Sequence, residues 1–217
     1  MIVNPETAEA VALHLLKINA IKLSPEKPFT WASGLHSPIY CDNRLALSYP
    51  AIRDFIRQEL TKAVKENFSD AGLVVGVATA GIPQGVLVAQ ALNLPFAYVR
   101  SSAKAHGMTN RIEGFIKKGQ NAVVVEDLVS TGKSSLTAVE ALRDAGINVK
   151  GMVSVFTYDL PVARENFEKA HCQLVALSDY PHLMDVALSN NFIGNAMLNS
   201  LYAWRNDPKK WSEKHTG

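Results

Sequence analysis

Short apolar runs alternate with amphipathic, helix-length segments along most of this chain. The apolar runs, which predict buried strands, are Leu73–Val77, Phe96–Val99, Ala122–Val125, Val149–Phe156 and Gln173–Ala176. The segments that predict helices are Pro5–Asn19, Pro50–Asn67, Pro83–Leu92, Lys133–Ala145, Tyr180–Ser189 and Asn195–Trp204. Strands without polar alternation, separated by helices, are typical of a parallel sheet covered on both faces. The pattern therefore predicts an α/β fold with a doubly wound parallel sheet flanked by helices.

Two segments do not fit this alternation. Residues 21–49 combine prolines, aromatic residues and short apolar runs, which predict strands and loops rather than a second core. Residues 100–120 carry three glycines and little apolar content, and long connections in compact domains are usually functional or mobile. A solvated surface loop is the alternative for this second segment.

Composition adds limits on the function. The chain has 217 residues and a net charge of +2, which predicts a single domain and disfavours a nucleic-acid coat or a polybasic membrane anchor. Two cysteines, Cys41 and Cys172, provide no disulfide framework and indicate a reducing, cytoplasmic location. Glu6 and Glu9 near the start argue against a signal peptide. The charge-free stretch Ala71–Val99 is interrupted by prolines and glycines, so we expect no membrane span there.

The segment Val123–Ser135 contains the most informative motif. An apolar strand is followed by two carboxylates, Glu126 and Asp127, then by a Ser-Thr-Gly turn and the start of a helix. Backbone N–H groups at such a turn and at a helix N-terminus bind phosphate, and hydroxyl groups add donors. The adjacent carboxylates suit the vicinal hydroxyls of a ribose whose 5′-phosphate lies in the turn.

Two other interpretations of this motif are weaker. Gly132-Lys133-Ser134 resembles the end of a P-loop, but the P-loop pattern requires a glycine where Asp127 stands. In the second interpretation, the carboxylates of Glu126 and Asp127 bind no ligand and only cap the following helix.

The same segment resembles the phosphoribosyl-pyrophosphate (PRPP) signature of the type I phosphoribosyltransferases. Further segments extend the resemblance to the orotate phosphoribosyltransferases, particularly their Gram-positive type, over nearly the whole chain. These segments are Phe29–Arg44, Ala78–Pro83, Tyr98–Arg100 and Lys104–Gly107.

The resemblance implies a reaction and a domain plan. Orotate and PRPP give orotidine 5′-monophosphate and pyrophosphate, with Mg²⁺ as cofactor and no metal site built from protein residues, in the synthesis of UMP. The implied plan is a small N-terminal hood with its helix (residues 1–48), a PRPP-binding core (49–178) with a mobile loop (100–112), and C-terminal helices (179–217). A homodimer is implied, in which the mobile loop contributes to the neighbouring site.

The resemblance also implies the site residues. Lys104, His106 and Asp127 are the expected catalytic residues, and Ser130 is an expected orotate contact. The expected PRPP contacts are Arg100, Lys104, His106, Glu126, Asp127, Leu128, Val129, Ser130, Thr131, Gly132, Lys133 and Ser134. The turn Thr79–Gly81 is expected to face the pyrophosphate. Tyr40 stands where an aromatic orotate contact is expected, although it equally suits packing within the hood.

The sequence departs from the enterobacterial form of the family at several basic positions. Ala32, Ala80 and Ser101 replace lysines, and Tyr158 lies near the position of an arginine. Backbone amides or Ser130 are the remaining candidates for orotate contacts. A phosphoribosyltransferase for another base and a PRPP-sensing regulator that binds nucleic acid are the alternative functions. The Phe29–Arg44 segment disfavours the first, and the lack of a basic nucleic-acid face disfavours the second.

Overall fold

The structure, a computed structural model, describes residues 1–31, 33–100 and 111–215. The helices are α1 (Pro5–Lys17), α2 (Pro50–Asn67), α3 (Gly81–Leu92), α4 (Lys133–Asp144), α5 (Pro161–Lys169), α6 (Tyr180–Ser189), α7 (Asn195–Asn206), α8 (Pro208–Lys214) and a 3-10 helix (Asn43–Ser48). The strands are β1 (Ile21–Leu23), β2 (Phe29–Thr30), β3 (His36–Ser37), β4 (Ile39–Cys41), β5 (Val74–Val77), β6 (Phe96–Val99), β7 (Ile112–Glu113), β8 (Asn121–Val129), β9 (Asn148–Thr157) and β10 (Leu174–Asp179).

The central sheet has the strand order β10-β9-β8-β5-β6-β7. Its strands run parallel except for the edge strand β7, which pairs antiparallel with β6. The N-terminal residues add to the opposite edge, where the N–H of Val3 donates to the carbonyl of Ala176 (3.1 Å). The predicted α/β class and the largely parallel sheet are therefore confirmed.

Each face of the sheet has its own apolar core. Val123 and Val125 of β8 pack into a cluster with α1, α2, α6 and α7, whereas Val124 between them packs with α4 and α5. Successive side chains of a strand point to opposite faces, so a run without polar alternation places apolar groups in both cores. This explains why continuous apolar runs marked the strands of the sheet.

The sequence missed elements that carry few apolar residues. α5 buries only Ala163 and Phe167, and α8 buries only Trp211 and Ser212, so neither shows a helical periodicity. β8 was predicted to end at Val125 but continues to Val129, because β9 remains hydrogen-bonded to it over the polar residues.

The N-terminal region forms two small antiparallel sheets, β1 with β4 and β2 with β3. The 3-10 helix then leads into α2 through Tyr49. This arrangement agrees with the strands and loops predicted for residues 21–49. Among the described residues, no helix is both long and apolar enough to span a bilayer.

Candidate active site

The carboxylates Glu126 and Asp127 lie where β8 continues beyond β5. Pairing between the two strands reaches Gly76 opposite Val125 and then stops, while pairing with β9 continues. The N-terminus of α3 enters the resulting gap so closely that a β-carbon on Gly81 would lie 2.5 Å from the carbonyl oxygen of Val125. The sequence predicted that the strand ends at these carboxylates; in the structure both belong to β8, which continues to Val129, and both border a gap in the sheet.

Glu126 is almost fully buried, with 5% of its surface exposed. Its Oε2 accepts a hydrogen bond from Ser135 Oγ (3.0 Å), and its Oε1 accepts one from the backbone N–H of Asp127 (3.1 Å). Burial, reinforced by the charge of Asp127, raises the pKa of the Glu126 carboxyl well above its usual value. The helix α4 therefore fixes the orientation of this carboxylate through Ser135.

Asp127 is held through its backbone. The side-chain amide of Asn43, in the 3-10 helix, donates to the carbonyl oxygen of Asp127 (2.7 Å). Burial raises the pKa of Asp127, while hydrogen bonds and the charge of Arg44 act in the opposite direction. Arg44 itself pairs with Asp42 through Nε and Oδ1 (2.6 Å). The N-terminal segment thus approaches the carboxylates from the side opposite α4.

The predicted phosphate turn, residues 130–134, joins β8 to α4. Gly132 stands at the helix N-terminus with φ +77°, a left-handed conformation that glycine adopts readily. The carbonyl oxygen of Thr131 accepts a hydrogen bond from the Asn166 side chain (2.9 Å), which ties the turn to α5. Thr131 and Ser134 are exposed, so their hydroxyl groups are accessible to a ligand.

A cavity of about 390 Å³ opens beside this turn. We call it the turn cavity, and it is lined by Val77, Ala78, Val99, Arg100, Thr131, Lys133, Ser134, Thr137 and Ala138. Arg100 pairs with Glu113 of β7 (Nη1 to Oε1, 3.6 Å) and holds a positive charge at the edge of the cavity. Lys133, an expected PRPP contact, also borders it. The predicted residues Lys104 and His106, like Ser101 and most of loop 100–112, lie outside the described residues.

The turn predicted to face pyrophosphate adjoins the same cavity. Ala78 directly follows β5 and lines the turn cavity, and the Ala78–Thr79 peptide bond is cis. Ala80, at the N-cap of α3, provides no side-chain hydrogen bond there. Any anion bound at this turn would therefore meet backbone N–H groups and the hydroxyl group of Thr79, because the turn carries no charged side chain.

A second cavity, of about 300 Å³, lies between the N-terminal sheets and β8. We call it the aromatic cavity, and it is lined by Thr30, Trp31, Tyr40, Cys41, Leu128, Ser130 and Tyr158. The Tyr158 ring stacks on Trp31 (centroids 5.5 Å apart, 21° between planes). Tyr40 lines the cavity and packs on Phe29 (5.7 Å), so its packing within the hood is observed and its contact with orotate stays a prediction. Ala32 lies outside the described residues.

The two cavities meet at the signature itself. Ser130 lines the aromatic cavity and the next residue, Thr131, lines the turn cavity. Glu126 and Asp127 precede them in the last part of β8, which ends at Val129. A ligand with a phosphate in the turn cavity and a planar ring in the aromatic cavity would thus place its middle portion near the carboxylates.

Sequence reasoning missed the supporting roles of Asn43 and Ser135. Both residues occur in segments that the resemblance singled out, but a motif names the residues without giving their partners. Asn43 is buried at 1% exposure, and a buried amide so close to a functional segment is the signal that only a structure provides.

The known proteins that resemble this chain agree with this geometry. The model of the phosphoribosyl transferase domain family matches residues 46–172. An orotate phosphoribosyltransferase from Bacteroides thetaiotaomicron is 54% identical over 197 residues, which cover 91% of this chain and 93% of that protein. An orotate phosphoribosyltransferase from Listeria monocytogenes is 49% identical over 203 residues, which cover 94% of this chain and 97% of that protein.

A solved structure has a similar fold. The crystal structure of orotate phosphoribosyltransferase from Aeropyrum pernix matches with a TM-score of 0.74 at 27% identity. The match covers 85% of this chain and 99% of that one.

Proposed function

Since this chain belongs to the orotate phosphoribosyltransferases, within the phosphoribosyl transferase domain family, we propose how its residues bind the substrates and promote the reaction. The chain transfers the phosphoribosyl group of PRPP to orotate and forms orotidine 5′-monophosphate and pyrophosphate in UMP synthesis. One observation supports the assignment of roles above all. The Glu126–Asp127 pair and the phosphate turn lie consecutively between two cavities whose linings differ in chemistry.

The 5′-phosphate of PRPP binds at the turn before α4. Backbone N–H groups of residues 130–134, the N-terminus of α4 and the hydroxyl groups of Thr131 and Ser134 supply the donors. Lys133 adds a positive charge at the edge of the cavity. The remaining proposed PRPP contacts in this stretch, Leu128, Val129 and Gly132, act through their backbone.

The ribose lies against Glu126 and Asp127. Their carboxylates accept hydrogen bonds from the ribose hydroxyls, and their negative charge favours the cationic ribosyl centre that develops as pyrophosphate leaves. Ser135 and Asn43 hold the two acidic residues in place before the substrate arrives. Little rearrangement is then needed at the moment of reaction.

Pyrophosphate leaves on the side of the turn cavity that Arg100 borders. We propose that Lys104 and His106 join Arg100 there, supplied by loop 100–112 of the neighbouring subunit in a homodimer. Closure of that loop would exclude water from the ribosyl cation. The charge of Arg100 at the cavity edge supports this placement of the leaving group.

Orotate binds in the aromatic cavity. The flat Trp31 and Tyr158 rings and the phenol of Tyr40 provide a planar surface suited to a pyrimidine, and Ser130 supplies a polar contact. Tyr158, near the position of the enterobacterial arginine, is 2% exposed and stacked, and it offers no positive charge. The carboxylate of orotate then relies on hydrogen-bond donors of the backbone and of Ser130.

Mg²⁺ fits this set of residues as an ion held mainly by the substrate. Magnesium prefers oxygen ligands and retains several waters. Glu126 and Asp127 offer carboxylate oxygens, and the described residues contain no cluster of three or more metal-ligating side chains. When bound, the ion would neutralise negative charge on the pyrophosphate.

The free thiols Cys41 and Cys172 support a cytoplasmic location.

A panel of bases tests the proposed function. The protein is incubated with PRPP, Mg²⁺ and either orotate, uracil, adenine or hypoxanthine, and the nucleotide product is identified by chromatography. Orotidine 5′-monophosphate should form far faster than any other nucleotide. Faster transfer to one of the other bases would overturn the assignment of the aromatic cavity to orotate.

A further inference from the structure

Helix α7 contacts two residues that line the aromatic cavity, and α8 contacts the hairpin that carries one of them. Trp31 is at the centre of these contacts. One face of its indole stacks on Tyr158, and its edge meets the Trp204 ring of α7 (centroids 5.7 Å apart, 80° between planes). Its Nε1 donates to the carbonyl oxygen of Ile39 (3.0 Å). The position of Trp31 therefore depends on α7 as well as on its own hairpin.

Two adjacent residues of α7 contact two adjacent residues after β9. Trp204, at 1% exposure, meets the ring of Tyr158 (5.4 Å between centroids), and Arg205 pairs with Asp159 (2.5 Å). An aromatic contact and a charged one side by side fix both the distance and the rotation of α7 relative to the Tyr158 ring. Tyr180 adds a further contact to α7, because its hydroxyl donates to the carbonyl oxygen of Leu201 (2.9 Å).

α8 is attached to the β2–β3 hairpin. Ser212 Oγ accepts a hydrogen bond from the backbone N–H of His36 in β3 (2.8 Å). The preceding residue, Leu35, accepts the backbone N–H of Trp31 (2.9 Å), so this contact reaches the turn that carries Trp31. α8 is in turn fastened to α7, because the indole of Trp211 donates to Ser200 Oγ (3.1 Å).

From these contacts we propose that α7 and α8 set the position of the orotate-binding surface. Ser212 and Trp204 are positioning residues: Ser212 acts through the backbone of His36, and Trp204 acts through the rings of Trp31 and Tyr158. The proposal rests on the proposed function, since it assigns orotate to the aromatic cavity. The proposed effect is on orotate binding and not on PRPP binding, because none of the described contacts of α7 or α8 reaches the phosphate turn.

The composition of the cavity explains why the position of Trp31 matters. The lining residues Thr30, Trp31, Tyr40, Cys41, Leu128, Ser130 and Tyr158 include no positively charged side chain. Recognition of orotate therefore depends on ring stacking and on a few well-placed hydrogen bonds, and both weaken with small displacements. A loosened hairpin would lower the affinity for orotate and leave that for PRPP unchanged.

The test uses full-length Ser212→Ala protein and steady-state kinetics with each substrate varied in turn. The KM for orotate should rise about two- to tenfold, the range expected for the loss of one neutral hydrogen bond. The KM for PRPP should stay within twofold of the wild-type value. Ser212→Thr retains the hydroxyl group and should restore the KM for orotate. Trp204→Phe, which keeps an apolar ring at the buried site, should also raise the KM for orotate selectively.

Ser178→Ala is the matched control. Ser178 is a fully buried serine whose Oγ donates to the carbonyl oxygen of Ala8 (2.7 Å), away from the hairpin. It should lower the melting temperature without changing the KM for orotate. The inference is overturned if Ser212→Ala and Trp204→Phe leave the KM for orotate unchanged, raise both KM values together, or act no differently from Ser178→Ala. Wild-type protein that fails to convert orotate would overturn the proposed function and the inference with it.

Discussion

Gly132 lies directly against the ring of Phe167: a β-carbon on this glycine would stand 2.7 Å from Cε2 of the ring. The contact joins the phosphate turn to α5, an element that sequence periodicity does not reveal. Together with the φ of +77°, it restricts this position to glycine.

We predict that Gly132→Ala destabilises the protein and weakens PRPP binding. The left-handed backbone costs about 1–2 kcal/mol for a residue with a β-carbon, and displacement of the Phe167 ring adds about 1–3 kcal/mol. Urea unfolding measures the loss of stability, and the KM for PRPP measures the weaker binding of PRPP. Gly119→Ala is the control, because Gly119 has φ +82° but open space around its β-carbon position. Equal destabilisation by both variants would contradict the role of the Phe167 contact.

The burial of Glu126 predicts a pH dependence of stability. Burial raises the pKa of this carboxyl above its ordinary value of 4.5, so the folded state favours the protonated form. The stability gained from protonation is fully present below pH 4.5 and is lost as the pH rises through the raised pKa. Glu126→Gln stays neutral and should therefore raise the free energy of unfolding at pH 8, by an amount that shrinks toward pH 4.5.

The same variant should lose activity. It removes a charged acceptor for a ribose hydroxyl, so kcat/KM for PRPP should fall about tenfold or more. Glu140→Gln, on the exposed side of α4, should change neither stability nor activity. A Glu126→Gln protein that is less stable than the wild type at pH 8 would show that the carboxylate stabilises the fold.

Removal of magnesium should abolish activity without unfolding the protein. The described residues contain no cluster of three or more metal-ligating side chains, so the ion is expected to arrive with PRPP. With EDTA in excess, turnover should stop, and the melting temperature of the substrate-free protein should not change. A large fall in melting temperature would indicate a structural metal instead.

The proposed shared site predicts complementation between inactive subunits. Lys104→Ala should lower turnover far more than thermal stability. A mixed dimer of Lys104→Ala and Asp127→Ala subunits should recover activity, because one of its two sites receives an intact loop and an intact Asp127. If mixing restores no turnover although heterodimers form, each site uses the loop of its own subunit.

Much of the fold follows from local sequence patterns. The strand Phe96–Val99 was located with its observed bounds; it is a continuous apolar run in which Ala97 and Val99 are buried and Phe96 and Tyr98 are partly buried. A short motif located the Glu126–Asp127 pair and the turn that follows it between β8 and α4, and their substrate contacts stay predictions. The extension of β8 to Val129 was not predicted, because its hydrogen bonds to β9 link residues distant in sequence.

The supporting contacts of the site could not be predicted from local patterns. Asn43 reaches Asp127 across 84 positions of sequence, and Ser212 reaches His36 across 176. Such bonds depend on how the N-terminal sheets and the C-terminal helices fold over the central sheet. The residues themselves are ordinary polar ones, and their functions arise only from that packing.

The most direct test of the account follows the absorbance of orotate in a mixture with PRPP and Mg²⁺, for wild-type protein and for Asp127→Asn. Wild-type protein should consume orotate only when PRPP is present, and Asp127→Asn, with a melting temperature no lower than that of the wild type, should do so at least about tenfold more slowly. Absence of PRPP-dependent loss of orotate, or full activity of Asp127→Asn, would contradict the account.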